Sequence, residues 1–186
     1  MAEYCFITRW RMSAPRQVVW DILNDSQRYP EWWPCYKRCH PLTPGVTGVG
    51  FAAEYVVRGP LPYDVHYRVE VTHYAPPHES AFRAVGDLVG DGRMVYEPDG
   101  DGTLVTIYWN VRTSGLWLNL LGPVLRWLFV WNHNTIMRKG EQGLICRLRD
   151  QASQGVNTPG PREGLTGPEP LRKEKVPEGE GTSSTT

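Results

Sequence analysis

The sequence predicts an α+β fold: a curved seven-stranded antiparallel sheet wrapped around one long C-terminal helix, with two short helices after the first strand. Three observations predict it. A strand-like stretch is followed at once by helical spacing, six more strand-like stretches then succeed one another across short turn signals, and the last apolar pattern has a helical period over some thirty residues. Short turns imply antiparallel neighbours, because a parallel pair needs a crossover of a dozen residues or more.

The first stretch, "EYCFITRWRM", alternates Tyr4, Phe6, Thr8, Trp10 and Met12 against Cys5, Ile7, Arg9 and Arg11, a strand with one wetter face. Ser13 suits an N-cap with Pro15 in the first turn, and Val18, Val19, Ile22 and Leu23 carry helical spacing to about Asn24. Pro30 lacks an N–H and restricts Tyr29, so "QRYPEWW" reads as a second short helix set at an angle to the first. Strands are then expected at Lys37–Leu42, Phe51–Val57, Tyr63–Tyr74, Glu79–Gly86, Arg93–Glu97 and Leu104–Thr113. From Leu116 to about Arg149 the pattern is helical, with Val130, His133, Met137, Gly140, Leu144 and Leu148 on one stripe and Gly122-Pro123 breaking or kinking the first turns. These elements make one domain over residues 1–150. Residues 151–186, rich in Gly, Pro, Glu, Ser and Thr, carry too few large apolar side chains to offset ordering entropy and read as a disordered tail.

Several function classes are excluded by the totals and motifs. Twenty basic residues balance twenty acidic ones, so there is no general electrostatic basis for a nucleic-acid partner. The opening "MAEYCFITRWRM" lacks the basic and apolar regions of a signal peptide, which points to the cytoplasm and to Cys5, Cys35, Cys39 and Cys146 as thiols. Cys35, Cys39 and His40 match no paired metal spacing and lack an evident fourth ligand, so no metal is expected. No cofactor motif is present either; "GDLVGDG" lacks the Lys-Ser/Thr ending of a phosphate-cradling loop. The run "LWLNLLGPVLRWLFVW", residues 116–131, is shorter than the ~20 residues a membrane span needs and is interrupted by Asn119, Gly122, Pro123 and Arg126. Burial against the first helix or a dimer partner explains it, as does a transient membrane-surface contact.

A single helix covers the apolar face of such a sheet incompletely, and the space left is a cavity whose open end is expected near the short helices. Eight tryptophans against four phenylalanines suit half-wet walls. Inward positions place Tyr55, Tyr63, Tyr67, Met94, Tyr96, Ile107 and Trp109 on the sheet side, and Val130, His133, Met137 and Leu144 on the helix side. Trp32 and Trp33 are adjacent and bracketed by Pro30 and Pro34; on a regular element they point apart, so one ring closes the core and the other faces the pocket mouth. Gly140 and Gly143 each cost a helix about 0.8–1.0 kcal/mol relative to alanine, so side chains are unwelcome there, for close packing or for ligand volume. His133 is the one weak candidate for acid/base work. The row Asp64, His66, Arg68, Glu70 falls on the opposite, solvated face as a cross-strand charge ladder.

The opening "RMSAPRQVVWDILNDSQRYPEWWP" resembles the signature of the START-like superfamily, also called the Bet v 1-like or SRPBCC group. The end, "LLGPVLRWLFVWNHNTIMRKGEQGLICRL", is similar to the C-terminal helix of bacterial members labelled polyketide cyclase/dehydrase-like. The resemblance spans roughly residues 3–149 and implies a helix-grip fold with a ligand tunnel under the long helix. The reading that follows is a carrier of a small hydrophobic molecule, lipid-like or aromatic, without cofactor. A polyketide cyclase or dehydratase using the same cavity is the alternative, and a protein-interaction module the second alternative.

Overall fold

The computed structural model describes residues 3–113 and 122–156. Strand β1 (Glu3–Met12) leads into helix α1 (Arg16–Asn24), a 3₁₀ turn (Ser26–Arg28) and a four-residue helix α2 (Tyr29–Trp32). Six strands follow: β2 (Tyr36–Pro41), β3 (Ala52–Val57), β4 (Val65–Ala75), β5 (Glu79–Gly86), β6 (Leu88–Asp99) and β7 (Gly102–Thr113). The chain closes on α3 (Gly122–Val156). All seven strands form one antiparallel sheet in the order β1-β7-β6-β5-β4-β3-β2. Since β1 and β2 are its two edges, the α1–α2 connection runs from one edge to the other and closes that side of the fold. This is the helix-grip architecture the sequence predicts.

Alternation decides which face is inside. Tyr4, Trp10 and Met12 of β1 are buried while Cys5, Ile7, Arg9 and Arg11 are exposed. On β4 the apolar row Tyr67, Val69, Val71 turns inward, until a bulge between Val71 and His73 shifts the register and brings Tyr74 in to meet Trp20 at 5.1 Å. His66, Arg68 and Glu70 are exposed; Arg68 stands opposite Glu54 and Glu70 opposite Arg83, as a charge ladder requires. Asp64 is held by Lys37 at 3.0 Å and Arg58 at 2.6 Å, which keep its carboxyl below the usual range.

Three local expectations need correction. Helix α1 is capped by Pro15, whose carbonyl accepts from the Val18 and Val19 amides at 3.0 and 3.2 Å, and Ser13 makes no cap. The single short helix expected over "QRYPEWW" is split into the 3₁₀ turn and α2, with Pro30 in the first turn of α2, where a residue needs no N–H partner. Strand β6 begins at Leu88, five residues before Arg93. Its glycines mimic a loop in sequence, but a Cβ on Gly90 would lie 1.9 Å from the Asn110 carbonyl oxygen and one on Gly92 would lie 2.2 Å from the Phe82 ring. They are glycine because neighbours occupy that space.

Helix α3 starts at Gly122 with Pro123 in its first turn and continues to Val156, past the compositional change at residue 151. The expected helical start at residues 116–121 and the tail from 157 lie outside the described residues. No described helix is long and apolar enough to cross a membrane. Trp127 and Trp131 stack on each other at 6.3 Å and remain 66% and 42% exposed, so this turn of α3 is not buried against α1.

Candidate functional site

Between the concave sheet and α3 lies a cavity of about 180 Å³, counted as space open to the centre of a water-sized sphere. That is room for a molecule much larger than one water, which needs about 10–15 Å³ by the same measure. Its floor is the inward row of β3, β4 and β7: Tyr55 and Val57, Tyr67 with Val69 and Val71, and Ile107 with Trp109. Its roof is one stripe of α3, Phe129, Asn132, His133, Ile136 and Met137, at three- and four-residue steps. Tyr29 and Trp33 from α2 and Tyr36 from β2 close the end nearest the short helices.

Of the residues the sequence singles out, Trp33, Tyr55, Tyr63, Tyr67, Met94, Ile107, Trp109, His133 and Met137 line this cavity. Trp32, Tyr96, Val130 and Leu144 do not. Tyr96 is buried beneath the wall, with its ring 4.9 Å from Trp20 and its hydroxyl accepting from Asn24 Nδ2 at 3.1 Å. Leu144 is fully buried about two turns beyond Met137, the last helix residue that lines the hollow. Val130 sits at the edge of the α3 stripe, whose centre is Phe129. That offset also hid Asn132 and Ile136: a polar residue inside a run looks like an outward position. Thr8, Leu23, Ser26, Phe51, Ser80 and Phe82 are further walls that no sequence argument assigns.

The tryptophan pair behaves differently from the expectation. Trp33 leaves the helix with extended backbone (φ −107, ψ 95), so the chain bends between the two residues. Their rings then stack at 5.4 Å and 28° in one cluster, and both are buried, at 8% and 5% exposure. Trp33 donates its indole N–H to the Ile136 carbonyl at 3.0 Å and packs on Trp10, Tyr29 and Tyr36. It is a buried end wall, and no ring of the pair stands at a mouth.

Gly140 and Gly143 belong to this contact. A Cβ on Gly140 would fall 2.3 Å from the Trp33 ring, and one on Gly143 would fall 1.9 Å from the Trp32 carbonyl oxygen. Close approach to α2 requires glycine at both positions, and neither opens space for a guest.

Several polar groups of the cavity are paired within the protein. Tyr55 donates to Ser26 Oγ at 2.7 Å, Tyr36 and Tyr67 share a hydrogen bond at 3.2 Å, and Tyr29 donates to the Leu23 carbonyl. Burial pushes the Tyr29, Tyr36 and Tyr55 hydroxyls well above their ordinary range and Tyr67 up to about 12, so these phenols stay neutral. Among the described residues three buried polar side-chain atoms lack a hydrogen-bond partner: Ser80 Oγ, Asn132 Oδ1 and His133 Nε2. All three residues line the cavity. Such an atom costs about 1–3 kcal/mol when left unsatisfied. The His133 ring stacks on Phe6 at 3.8 Å, and burial lowers its pKa to about 4. At neutral pH it is an uncharged imidazole.

Among the described residues no group of three or more His, Cys, Asp or Glu side chains is placed to hold a metal. The four cysteines are free, and burial raises the Cys35 and Cys39 thiols.

A family model described as "Polyketide cyclase / dehydrase and lipid transport" matches residues 8–147. No curated protein matches the chain in sequence. Among solved structures, the chain is similar to the Zhui aromatase/cyclase from Streptomyces sp. R1128, at 14% identity and a TM-score of 0.63, covering 86% of this chain and 99% of that one. It is similar also to a START superfamily protein from Mycobacterium smegmatis, at 17% identity and a TM-score of 0.63, covering 79% and 98%. At these identities the likeness is one of fold.

Proposed function

The chain belongs to the polyketide cyclase/dehydrase and lipid transport family, and from that premise we propose that it binds and carries a small hydrophobic molecule in the cavity under α3. The observation that carries this reading is the cavity's composition. Its walls are mostly aromatic and aliphatic, and among the described residues no Asp, Glu, Lys or Arg side chain lines it. The guest is small enough to be enclosed, lipid-like or aromatic, and held by shape with a few directed contacts.

The acid/base character of the walls favours carriage over cyclisation or dehydration. A general acid or base works best with a pKa near the operating pH. Here burial moves the cavity's phenols up and its imidazole down, away from neutrality on both sides. Neutral groups of this kind donate or accept hydrogen bonds without exchanging protons. The reading needs no cofactor, and it fits a protein working in the cytoplasm.

Native mass spectrometry of freshly purified protein tests it. The expected result is a population heavier than the chain by a discrete small-molecule mass, released by organic solvent. A chain that carries nothing, and takes up no lipophile when one is offered, overturns the proposal.

A further inference from the structure

We propose that the outer edge of β1 is a dimer interface: two copies of this chain pair their β1 strands antiparallel about a twofold axis at Ile7, joining the two sheets with both cavities on the same face. The inference goes beyond the carrier reading and does not depend on it.

The two edges of the sheet are built differently. Edge β2 is six residues long, shifts register between Tyr36 and Arg38, and ends in Pro41. Short length, a bulge and a proline are means by which an edge is kept from pairing with another chain. Edge β1 has none of them. It runs ten residues without a proline and pairs with β7 in unbroken register, from Glu3 opposite Arg112 to Met12 opposite Thr103. Among the described residues no strand pairs with its other side and no loop main chain bonds to it. Alternate amides and carbonyls of β1 thus point out of the sheet, where a further strand would take them up.

The outward-facing row of this strand is complementary to itself. An antiparallel twofold pair keeps the outer faces of both copies on one side, so outer residues meet outer residues. With the axis at Ile7, Glu3 stands opposite Arg11 of the second copy at both ends, Cys5 stands opposite Arg9, and Ile7 meets its own copy. Ile7 is 58% exposed in the single chain; Tyr108 flanks it on β7, and Arg93 lies over that ring at 5.8 Å. Across the axis these make one row, with two isoleucines at its centre, a tyrosine outside each, and an arginine over each tyrosine. The charged residues add a second match. Glu3 holds Arg112 at 3.1 Å and Arg11 holds Asp99 at 3.2 Å. Brought together, they form a row of alternating charge on either side of the axis, Arg112, Glu3, Arg11, Asp99, and opposite charges across strands stabilise a sheet.

Neighbouring registers lose this fit. An axis at Phe6 sets Ile7 against Cys5 and leaves Arg11 with no strand residue opposite. An axis at Thr8 sets Ile7 against Arg9 and leaves Glu3 in the same position. The inward-facing row does not compete, because it is engaged within its own copy: Phe6 stacks on His133 at 3.8 Å, Tyr4 meets Phe129 at 4.5 Å, and Trp10 and Met12 are buried.

Analytical ultracentrifugation and disulfide trapping test the join. Wild type at micromolar concentration should sediment at twice the 21.2 kDa of the chain. Ile7→Lys sets two ammonium groups face to face on the axis and should weaken the dimer about a hundredfold. Its circular dichroism should match wild type, since the position is exposed. Trapping reads the register. Cys5 and Cys146 are the exposed thiols, so the background is Cys5→Ser, Cys146→Ser. There Ile7→Cys should cross-link to its copy on mild oxidation, because residues directly opposite lie about 4.5–5.5 Å apart at Cα, within disulfide reach. Arg9→Cys should not, since its copy stands about 13 Å along the strand; restoring Cys5 should let it cross-link. A wild type that sediments as one chain overturns the proposal. So does a dimer that Ile7→Lys leaves intact, which would put the join elsewhere, such as the exposed Trp127–Trp131 turn. Failure of Ile7→Cys to cross-link overturns it as well.

Discussion

Along one face of α3, the turn from Gly140 to Leu144 touches indole and main chain, while the turns from Phe129 to Met137 border open space. Both segments have helical apolar spacing, and both face the same layer. In the first, the side chains are reduced to nothing so that α2 can enter, and the Trp33 indole reaches back from there to the Ile136 carbonyl of the second. In the second, the side chains are large; Phe129 and His133 rest on Phe6 of β1, and the buried Asn132 Oδ1 and His133 Nε2 have no hydrogen-bond partner among the described residues. Stability is concentrated in the first segment, and the capacity to hold a guest in the second. Helix α3 is thus half fastener and half roof.

Four perturbations test this division, in descending order of expected effect on stability. Trp33→Ala removes a buried indole with four aromatic neighbours and a hydrogen bond, and should cost about 3–5 kcal/mol by urea unfolding. It should weaken ligand uptake as well, since the end wall goes with it. Gly143→Ala follows. Helix propensity alone would favour alanine by about 1 kcal/mol, yet the new Cβ meets the Trp32 carbonyl, which cannot rotate away, so a net loss of about 1–3 kcal/mol is expected. A gain on Gly143→Ala would show the fastener to be loose.

The third perturbation is pH. His133 has its pKa lowered by burial to about 4, so between there and its ordinary value of 6.5 the unfolded chain binds a proton that the folded chain does not. Stability is therefore complete above pH 6.5 and declines as pH falls through the window. From pH 7.5 to 5 the loss from this residue should be about 2 kcal/mol. The other histidines, His40, His66, His73 and His78, are exposed, so the decline should be largely absent from His133→Phe. Equal declines in both proteins would remove His133 from the account. Fourth and smallest, His133→Phe at pH 7.5 keeps the stack on Phe6 and removes an orphaned nitrogen, and should raise stability by about 1 kcal/mol.

Much of this architecture is legible in the sequence, and the parts that are not share a physical cause. Alternation in β1 and β4 assigns faces because each strand has one wet side, and Glu79–Gly86 is delimited correctly because turns flank it. The start of β6 is illegible, since Gly90 and Gly92 are set by a carbonyl and a ring on neighbouring strands. The same holds for Trp32 and Trp33: sequence shows two prolines and two indoles, but the bend that stacks the rings is a property of Trp33's extended backbone. In the cavity, the apolar walls from Tyr55 to Trp109 follow from strand parity. The buried Asn132 does not, because an amide within a helical run reads as an outward position. The α3 stripe centred on Val130 instead of Phe129 is the same error seen from the apolar side.

The claim on which the rest depends is that the roof half of α3 covers real space. Val71 lines the hollow, so Val71→Phe should place a ring in the space a guest would take. Titrating wild type and this variant with N-phenyl-1-naphthylamine measures the claim directly. Emission that saturates at one equivalent in wild type and is lost in Val71→Phe, with melting temperatures alike, is the predicted result. Emission that climbs without saturating, or that Val71→Phe leaves unchanged, contradicts it.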